Sequence, residues 1–259
     1  MDLGLRDKKV IITASSNGIG KATALAFANE GAKVLINGRN PQKLSAVKNE
    51  ISTCYGEDSV LSVCGDATTD ETRDKIIREA HDKWGSIDIL IPCVGSGKSE
   101  SENPLSLDEW NRLLNINLLC NVGLIDKCIS LLQKGNDPVI TMISSVVAIS
   151  RASAPASYAA AKSGILTLNN YLAAEYKNTG IRVNCVVPGN VYFTGGRWEE
   201  IRNADVKGTD EYINSNVPMN RFGKPEEIAD AIVFMSSKRA SFINGAVLTV
   251  DGGQNGGIK

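Results

Sequence analysis

Hydrophobic positions fall in short unbroken runs, separated by longer stretches in which apolar residues recur every three or four positions. The runs are VIITA (10–14), KVLING (33–38), VLSVC (60–64), IDILIP (87–92), PVITMIS (138–144), RVNCVVP (182–188) and AVLTV (246–250). They are rich in β-branched residues and continuous rather than alternating, which predicts strands buried on both faces. Helical patterns lie between them near 19–30, 41–54, 69–84, 107–133, 156–178 and 225–237. With right-handed crossovers this order predicts an α/β fold, a doubly wound parallel sheet of about seven strands with helices on both faces. No linker, low-complexity tract or repeat divides the chain, so residues 1–259 are expected to form one domain. The rhythm breaks once. About 35 residues separate Gly189 from Lys224, including NVYFTGGRWEEIRNADVKGTDEY, before the next strong helical pattern. So long a connection in a compact fold is usually functional. Following the sixth strand, it is expected to hang over the carboxyl edge of the sheet as a mobile substrate lid around 189–224.

Composition narrows the possible partners. The 259 residues are 42% hydrophobic, enough for one large core. A net charge of −1 without a long run of one sign recommends neither nucleic acid nor an acidic membrane. No stretch approaches 18 uninterrupted apolar residues, and MDLGLRDKKV lacks a signal-peptide core, so a cytoplasmic location is expected. Cysteines at 54, 64, 93, 120, 128 and 185 form no CxxC pair, and four lie in apolar runs, which predicts buried reduced thiols and no metal site. The single histidine, His81 in IIREAHDKWGS, lies on a polar helical pattern and reads as a solvated residue. Proton chemistry must therefore use another residue type.

TASSNGIG, Thr13 to Gly20, joins the first strand to the first helix. Gly18 and Gly20 can let the chain turn tightly beneath a pyrophosphate, and the helix offers unpaired amides and its positive end. After the second strand, Gly38 stands where an acidic residue would bind a ribose 2′-hydroxyl, and Arg39 supplies a cation for a 2′-phosphate. This predicts NADP(H) in preference to NAD(H).

The stretch MISSVVAISRASAPASYAAAKSG, residues 142–164, carries the candidate chemistry. Tyr158 and Lys162 are four apart on one helical face, and Ser145 ends the fifth strand. A free phenol ionises near pH 10. An ammonium roughly 5 Å away at an effective dielectric near 20 favours the phenolate by roughly 3 kcal/mol. That would make Tyr158 a general acid and base near neutrality. Ser145 would hydrogen-bond the substrate oxygen, and Lys162 could also hold the nicotinamide ribose.

With these residues in place, the whole chain resembles the short-chain dehydrogenases/reductases, which implies a Rossmann fold. TASSNGIG is similar to the family's glycine motif, which implies cofactor contacts at Thr13, Ser15, Ser16, Asn17, Gly18, Ile19 and Gly20. GDAT resembles its adenine-contacting stretch, implicating Asp66 and Ala67. Ser145, Tyr158 and Lys162 resemble the catalytic set. WNRLLNINL makes Asn117 the counterpart of the asparagine that completes a proton relay through water to the lysine. VNCVVPGNV resembles the Pro-Gly turn at the nicotinamide, placing Pro188, Gly189 and Val191 there. Two departures stand out. Ala14 replaces the first glycine, tolerable if φ is negative and costly if it is positive. IPCVG (91–95) stands where the family has Asn-Asn-Ala-Gly. Pro92 cannot donate an amide bond and Cys93 cannot replace a carboxamide, while Gly95 retains room beside the cofactor.

LDEWNRLLNINLLCNVGLIDKCISLLQ is apolar around much of its circumference, and the Tyr-Lys helix carries Ala159, Ala160, Ala161, Gly164, Ala173 and Ala174. Both fit a homotetramer or dimer packed through these helices. The expected activity is interconversion of a secondary alcohol and a ketone. The substrate is a small molecule of 3-oxoacyl, sugar or polyol, or steroid type. The alternative is a catalytically silent dinucleotide-binding regulator or scaffold, motivated by Ala14 and IPCVG.

Overall fold

The computed structural model describes residues 2–103, 105–150 and 154–256. Seven strands form one sheet: β1 Lys9–Ile12, β2 Lys33–Gly38, β3 Val60–Cys64, β4 Ile89–Ile91, β5 Val139–Ile143, β6 Arg182–Pro188 and β7 Val247–Val250. All neighbours pair in parallel in the order β3-β2-β1-β4-β5-β6-β7. The winding reverses between β1 and β4, which opens a crevice at the carboxyl ends of those two strands.

The continuous apolar runs serve two cores because successive strand residues face opposite ways. Val10, Ile12, Val34 and Ile36 pack with Phe27 of α1 (Gly18–Asn29), Ile51 of α2 (Pro41–Tyr55) and Ile232 of α9 (Pro225–Ser236). Ile11, Leu35 and Leu90 pack with Ile76 of α3 (Asp70–Trp84), Leu124 of α5 (Cys120–Leu132) and Ile165 of α6 (Ala156–Glu175).

Three predicted elements near the β1–α1 turn and Asn117 differ in detail. β1 stops at Ile12 rather than residue 14, because the chain enters the turn in which Ala14 has φ +50°. β4 covers Ile89–Ile91, not 87–92, since Pro92 has no amide to continue the ladder. The helix expected over 107–133 is α4 (Leu107–Leu114), a π turn at Asn115–Leu119, and α5. Such single π turns are frequent at functional sites, and Asn117 lies inside this one. The rod Leu107–Leu132 is long and apolar enough to cross a membrane by length and composition. Its buried Leu124, Ile125, Leu131 and Leu132 instead belong to the second core.

The segment expected as a mobile substrate lid around 189–224 contains two helices, α7 (Arg197–Ala204) and α8 (Val206–Asn216). Their sequence escaped a helical reading because α7 buries no residue and α8 only Thr209 and Ile213. Asp205 joins them, its amide donating to the Ile201 carbonyl (3.0 Å) and its carboxylate capping the Gly208 amide (2.9 Å). Aromatic contacts and an ion pair hold them: Trp198 stacks on Tyr212 at 5.4 Å and meets Phe222 at 5.2 Å, Phe222 meets Tyr192 at 5.6 Å, and Arg202 of α7 pairs with Asp210 of α8 at 3.2 Å.

Candidate active site

The turn from β1 to α1 is built on buried hydroxyls and one buried amide. The Thr13 amide donates to the Ile91 carbonyl (3.2 Å), and Thr13 Oγ1 accepts the Cys93 amide (3.1 Å). The IPCVG departure is thus tied to the cofactor loop by a threonine hydroxyl. Ser15 Oγ donates to the Ile12 carbonyl (2.8 Å) and accepts the Asn37 amide (2.9 Å). Asn37 Nδ2 reaches the carbonyls of Val63 (3.0 Å) and Gly65 (3.1 Å), so one side chain links the ends of β2 and β3. Sequence reasoning missed Asn37, because inside a strand run an asparagine carries no sign of its partners.

Asn17 caps α1, accepting the Gly18 amide at 2.9 Å. The first-turn amides of Ile19 and Gly20 lie beyond the reach of intrahelical bonding, and they could hold a diphosphate. Gly18 has φ +54°, where a side chain is strained. A Cβ on Gly20 would fall 2.4 Å from the Ala14 carbonyl oxygen. Ala14 itself has φ +50°, so the costly case for the missing glycine is the one the fold adopts. The lid reaches this turn: Asn17 Nδ2 donates to the Thr194 carbonyl (2.9 Å), and the Phe193 ring lies against Gly18.

At the adenosine end, Ser16 Oγ lies against Gly38, where a Cβ would be 2.6 Å from it. Arg39 is exposed and 3.8 Å from Asp66. The other Asp66 oxygen accepts the amide and hydroxyl of Thr68. Buried Arg73 donates to the Ala67 carbonyl (2.9 Å), fixing this stretch from behind, a role invisible at its helical position in sequence.

Three of the four candidate catalytic residues, Asn117, Tyr158 and Lys162, converge on Gly95–Gly97. Asn117 Oδ1 accepts the Ser96 amide (2.8 Å), and its Nδ2 donates to the carbonyls of Ser96 (2.9 Å) and Leu113 (2.9 Å). Its carboxamide is thereby committed, while its carbonyl receives Asn121 Nδ2 at 3.2 Å. A Cβ on Gly95 would lie 3.0 Å from Asn117 Oδ1 and 3.1 Å from Lys162 Nζ, so only glycine leaves both groups undisturbed. Lys162 is buried, and its ammonium donates to the Ile143 carbonyl (3.0 Å) and lies 5.9 Å from the centre of the Tyr158 ring. Ser144, next to the predicted Ser145, donates to the Lys162 carbonyl (2.8 Å), locking α6 to the end of β5. Partly buried Tyr158 borders Gly97, whose Cβ would be 3.4 Å from the ring. Ser145 is extended at the end of β5 and caps a short turn through the Val147 amide (3.5 Å).

Pro188 pairs with Val250 at the end of β6, and the Gly189 amide donates to the Val250 carbonyl (3.0 Å). A Cβ on Gly189 would meet Asp251 Cα at 2.7 Å. Val191 is buried and bridges to Gly223. All six cysteines are free, but Cys54 and Cys64 are exposed rather than buried. Burial pushes the Cys93 thiol up to about 11 against the pull of Lys162, which argues against a reactive thiolate there. His81 is exposed beside Asp82. Among the described residues no cluster of His, Cys, Asp or Glu is arranged to hold a metal ion.

The family model described as enoyl-(acyl carrier protein) reductase matches residues 13–255. The chain is a short-chain dehydrogenase/reductase. It is 32% identical over 252 residues to glucose 1-dehydrogenase of Gluconobacter oxydans, covering 95% of this chain and 91% of that one. It is 31% identical over 253 residues to a 3-oxoacyl-[acyl-carrier-protein] reductase of Thermotoga maritima, covering 96% and 98%. Its fold is similar to that of L-sorbose reductase from Gluconobacter frateurii, solved with NADPH and L-sorbose, with TM-score 0.91, 28% identity and full coverage of both chains. This short-chain dehydrogenase/reductase is accordingly an NAD(P)-dependent oxidoreductase of CH–OH and keto groups.

Proposed function

We propose that the protein uses NADP(H) in preference to NAD(H) to interconvert a secondary alcohol and a ketone, with Tyr158 as general acid and base. The reading rests on one observation above all: Tyr158, Lys162 and Asn117 gather around Gly95–Gly97, at the edge of the sheet where the β1–α1 turn lies. The residues fit a dinucleotide. Glycine is required at 18, 20, 95 and 189 by φ or by close approach, and Arg39 stands at the end of β2 with no acidic residue at Gly38. Gly18, Ile19 and Gly20 would hold the diphosphate, with Thr13, Ser15, Ser16 and Asn17 shaping the turn. Arg39, Asp66 and Ala67 would face the adenosine, and Gly95, Pro188, Gly189 and Val191 the nicotinamide. The nicotinamide, when bound, supplies or accepts the hydride.

The protein moves the proton. Tyr158 gives its hydroxyl proton to the substrate oxygen in reduction and takes it back in oxidation. Ser145 donates a hydrogen bond to that oxygen. The Lys162 ammonium stabilises negative charge on the phenolic oxygen, and Asn117 holds the Ser96–Gly97 backbone beside the ring while its carbonyl anchors the relay to Lys162. The lid, residues 189–224, closes over the substrate. Lys98 reaches Glu200 of α7 at 3.2 Å, joining the β4–α4 loop to the lid. A sugar or polyol is the favoured substrate class, since relatives named for glucose and sorbose stand beside the acyl-carrier reductase. The apolar residues Leu119, Val122 and Tyr171, exposed on the π turn, α5 and α6, support a homodimer or homotetramer packed through these helices. A cytoplasmic location completes the reading. The test is NADPH oxidation against ketoses, other ketones and 3-oxoacyl thioesters. Turnover on at least one class, abolished in Tyr158→Phe with cofactor binding intact, supports the proposal, and full turnover in that variant refutes it.

A further inference from the structure

We propose that Asn121 is a positioning residue for the reaction, tying the backbone at Val94 to the helix at Asn117 so that Gly95 stays against Lys162; the inference rests on the proposed function above. Asn121 lies one turn beyond Asn117, in the first turn of α5, and is 1% exposed. Its Nδ2 donates to the Val94 carbonyl (3.2 Å) and to the Asn117 carbonyl (3.2 Å), which uses both hydrogens of the amide. Its Oδ1 is buried and has no hydrogen-bond partner among the described residues. A buried acceptor left unbonded costs stability. A leucine of similar size would fill the same space without that cost. The chain therefore keeps a destabilising atom here, and what it retains with it is the pair of bonds made by the nitrogen.

The stretch that Asn121 grips lies beyond the sheet. β4 ends at Ile91, Pro92 has no amide, and IPCVG contributes no carboxamide of its own. From Cys93 to Ser96 side chains bind the backbone. Thr13 takes the Cys93 amide, Asn121 the Val94 carbonyl, and Asn117 both the amide and the carbonyl of Ser96. Two asparagines one helical turn apart thus hold the chain on either side of Gly95. A Cβ on Gly95 would lie 3.1 Å from Lys162 Nζ, so a shift of this backbone would be felt at the ammonium. Asn121 also fixes the Asn117 carbonyl. Because a carbonyl has two lone pairs, one stays open to the relay.

The test compares the parent with Asn121→Leu and Asn121→Ser, using NADPH and whichever of L-sorbose, cyclohexanone and acetoacetyl-CoA the parent reduces fastest. A helical serine bonds the carbonyl four residues back, here that of Asn117, but is too short to reach Val94 as well. In both variants kcat should fall about tenfold, with KM and NADPH affinity changed by less than about twofold. Tm should stay close to the parent's. The solvent deuterium effect on kcat should rise, since proton transfer is the step slowed. The Ser96 amide should exchange its hydrogen faster, because the clamp beside it is open. Parental kcat in Asn121→Leu, its recovery in Asn121→Ser, or a loss of kcat with unchanged exchange at Ser96 overturns the role of Asn121 alone. A parent that turns over none of the three substrates overturns the proposed function and this inference together.

Discussion

Replacing Ala14 with glycine should stabilise the protein. Ala14 has φ +50°, in the left-handed region where a Cβ crowds its own carbonyl, at a cost of about 1–2 kcal/mol. Glycine removes that cost but gives the unfolded chain more freedom, which offsets about 0.5–1 kcal/mol. The net expectation is about 0.5–1 kcal/mol of stabilisation. For a chain of 259 residues, with unfolding entropy near 2.1 cal/mol/K per residue, this is about 1–2 °C in Tm. The turn should not otherwise move. Ser15 donates its amide and hydroxyl to the Asn37 carbonyl and accepts the Asn37 amide on its hydroxyl, and Gly20 already packs on the Ala14 carbonyl. Cofactor affinity should therefore change by less than about threefold. Differential scanning calorimetry with urea denaturation reads the stability, and fluorescence titration reads the cofactor. A lower Tm for Ala14→Gly would refute the strain argument, since it would show that the alanine methyl contributes more by packing than its backbone costs. Ala14→Val supplies the opposite sign: a β-branched side chain in this region should lower Tm by several degrees.

Gly20→Ala should damage the same turn, because its Cβ would fall 2.4 Å from a backbone oxygen. A loss of about 1–3 kcal/mol in urea unfolding is expected, with weakened NADPH binding, and a variant of parental stability would show that the turn has slack. Glu109 provides a pH test. The Arg112 side chain, with help from the Glu100 amide and Ser99, holds its carboxyl down to about 2 from an ordinary 4.5. A group depressed on folding contributes stability above its unfolded value and loses it as pH falls through the folded one. Glu109→Gln should therefore be less stable than the parent at pH 7, and the gap should shrink as pH drops from about 4.5 towards 2. A gap that widens on acidification contradicts this assignment.

Much of the fold was legible because the apolar runs of β1, β2, β4, β5 and β6 are buried on both faces, leaving little ambiguity between strand and helix. The edge strands β3 and β7 are more open. KVLING and RVNCVVP match β2 and β6 to the residue. The lid helices were not legible. They are held by the Arg202–Asp210 ion pair and by Trp198, Tyr212, Phe222 and Tyr192, four rings spread along the chain and joined only in space. The candidate site divides the same way. Gly18, Tyr158 and Lys162 announce themselves by spacing, whereas Asn37, Arg73 and Ser144 act through bonds to backbone carbonyls or amides that no spacing rule encodes. For Ala14 the sequence posed the question, and only the dihedral angle answers it.

The most direct test of the account is a paired measurement on the parent and Tyr158→Phe: NADPH binding by fluorescence, and NADPH oxidation with ketoses and other ketones. The account predicts tight NADPH binding by both proteins, clearly stronger than NADH binding, with turnover in the parent only. Failure of the parent to bind either cofactor, or undiminished turnover in Tyr158→Phe, would contradict it.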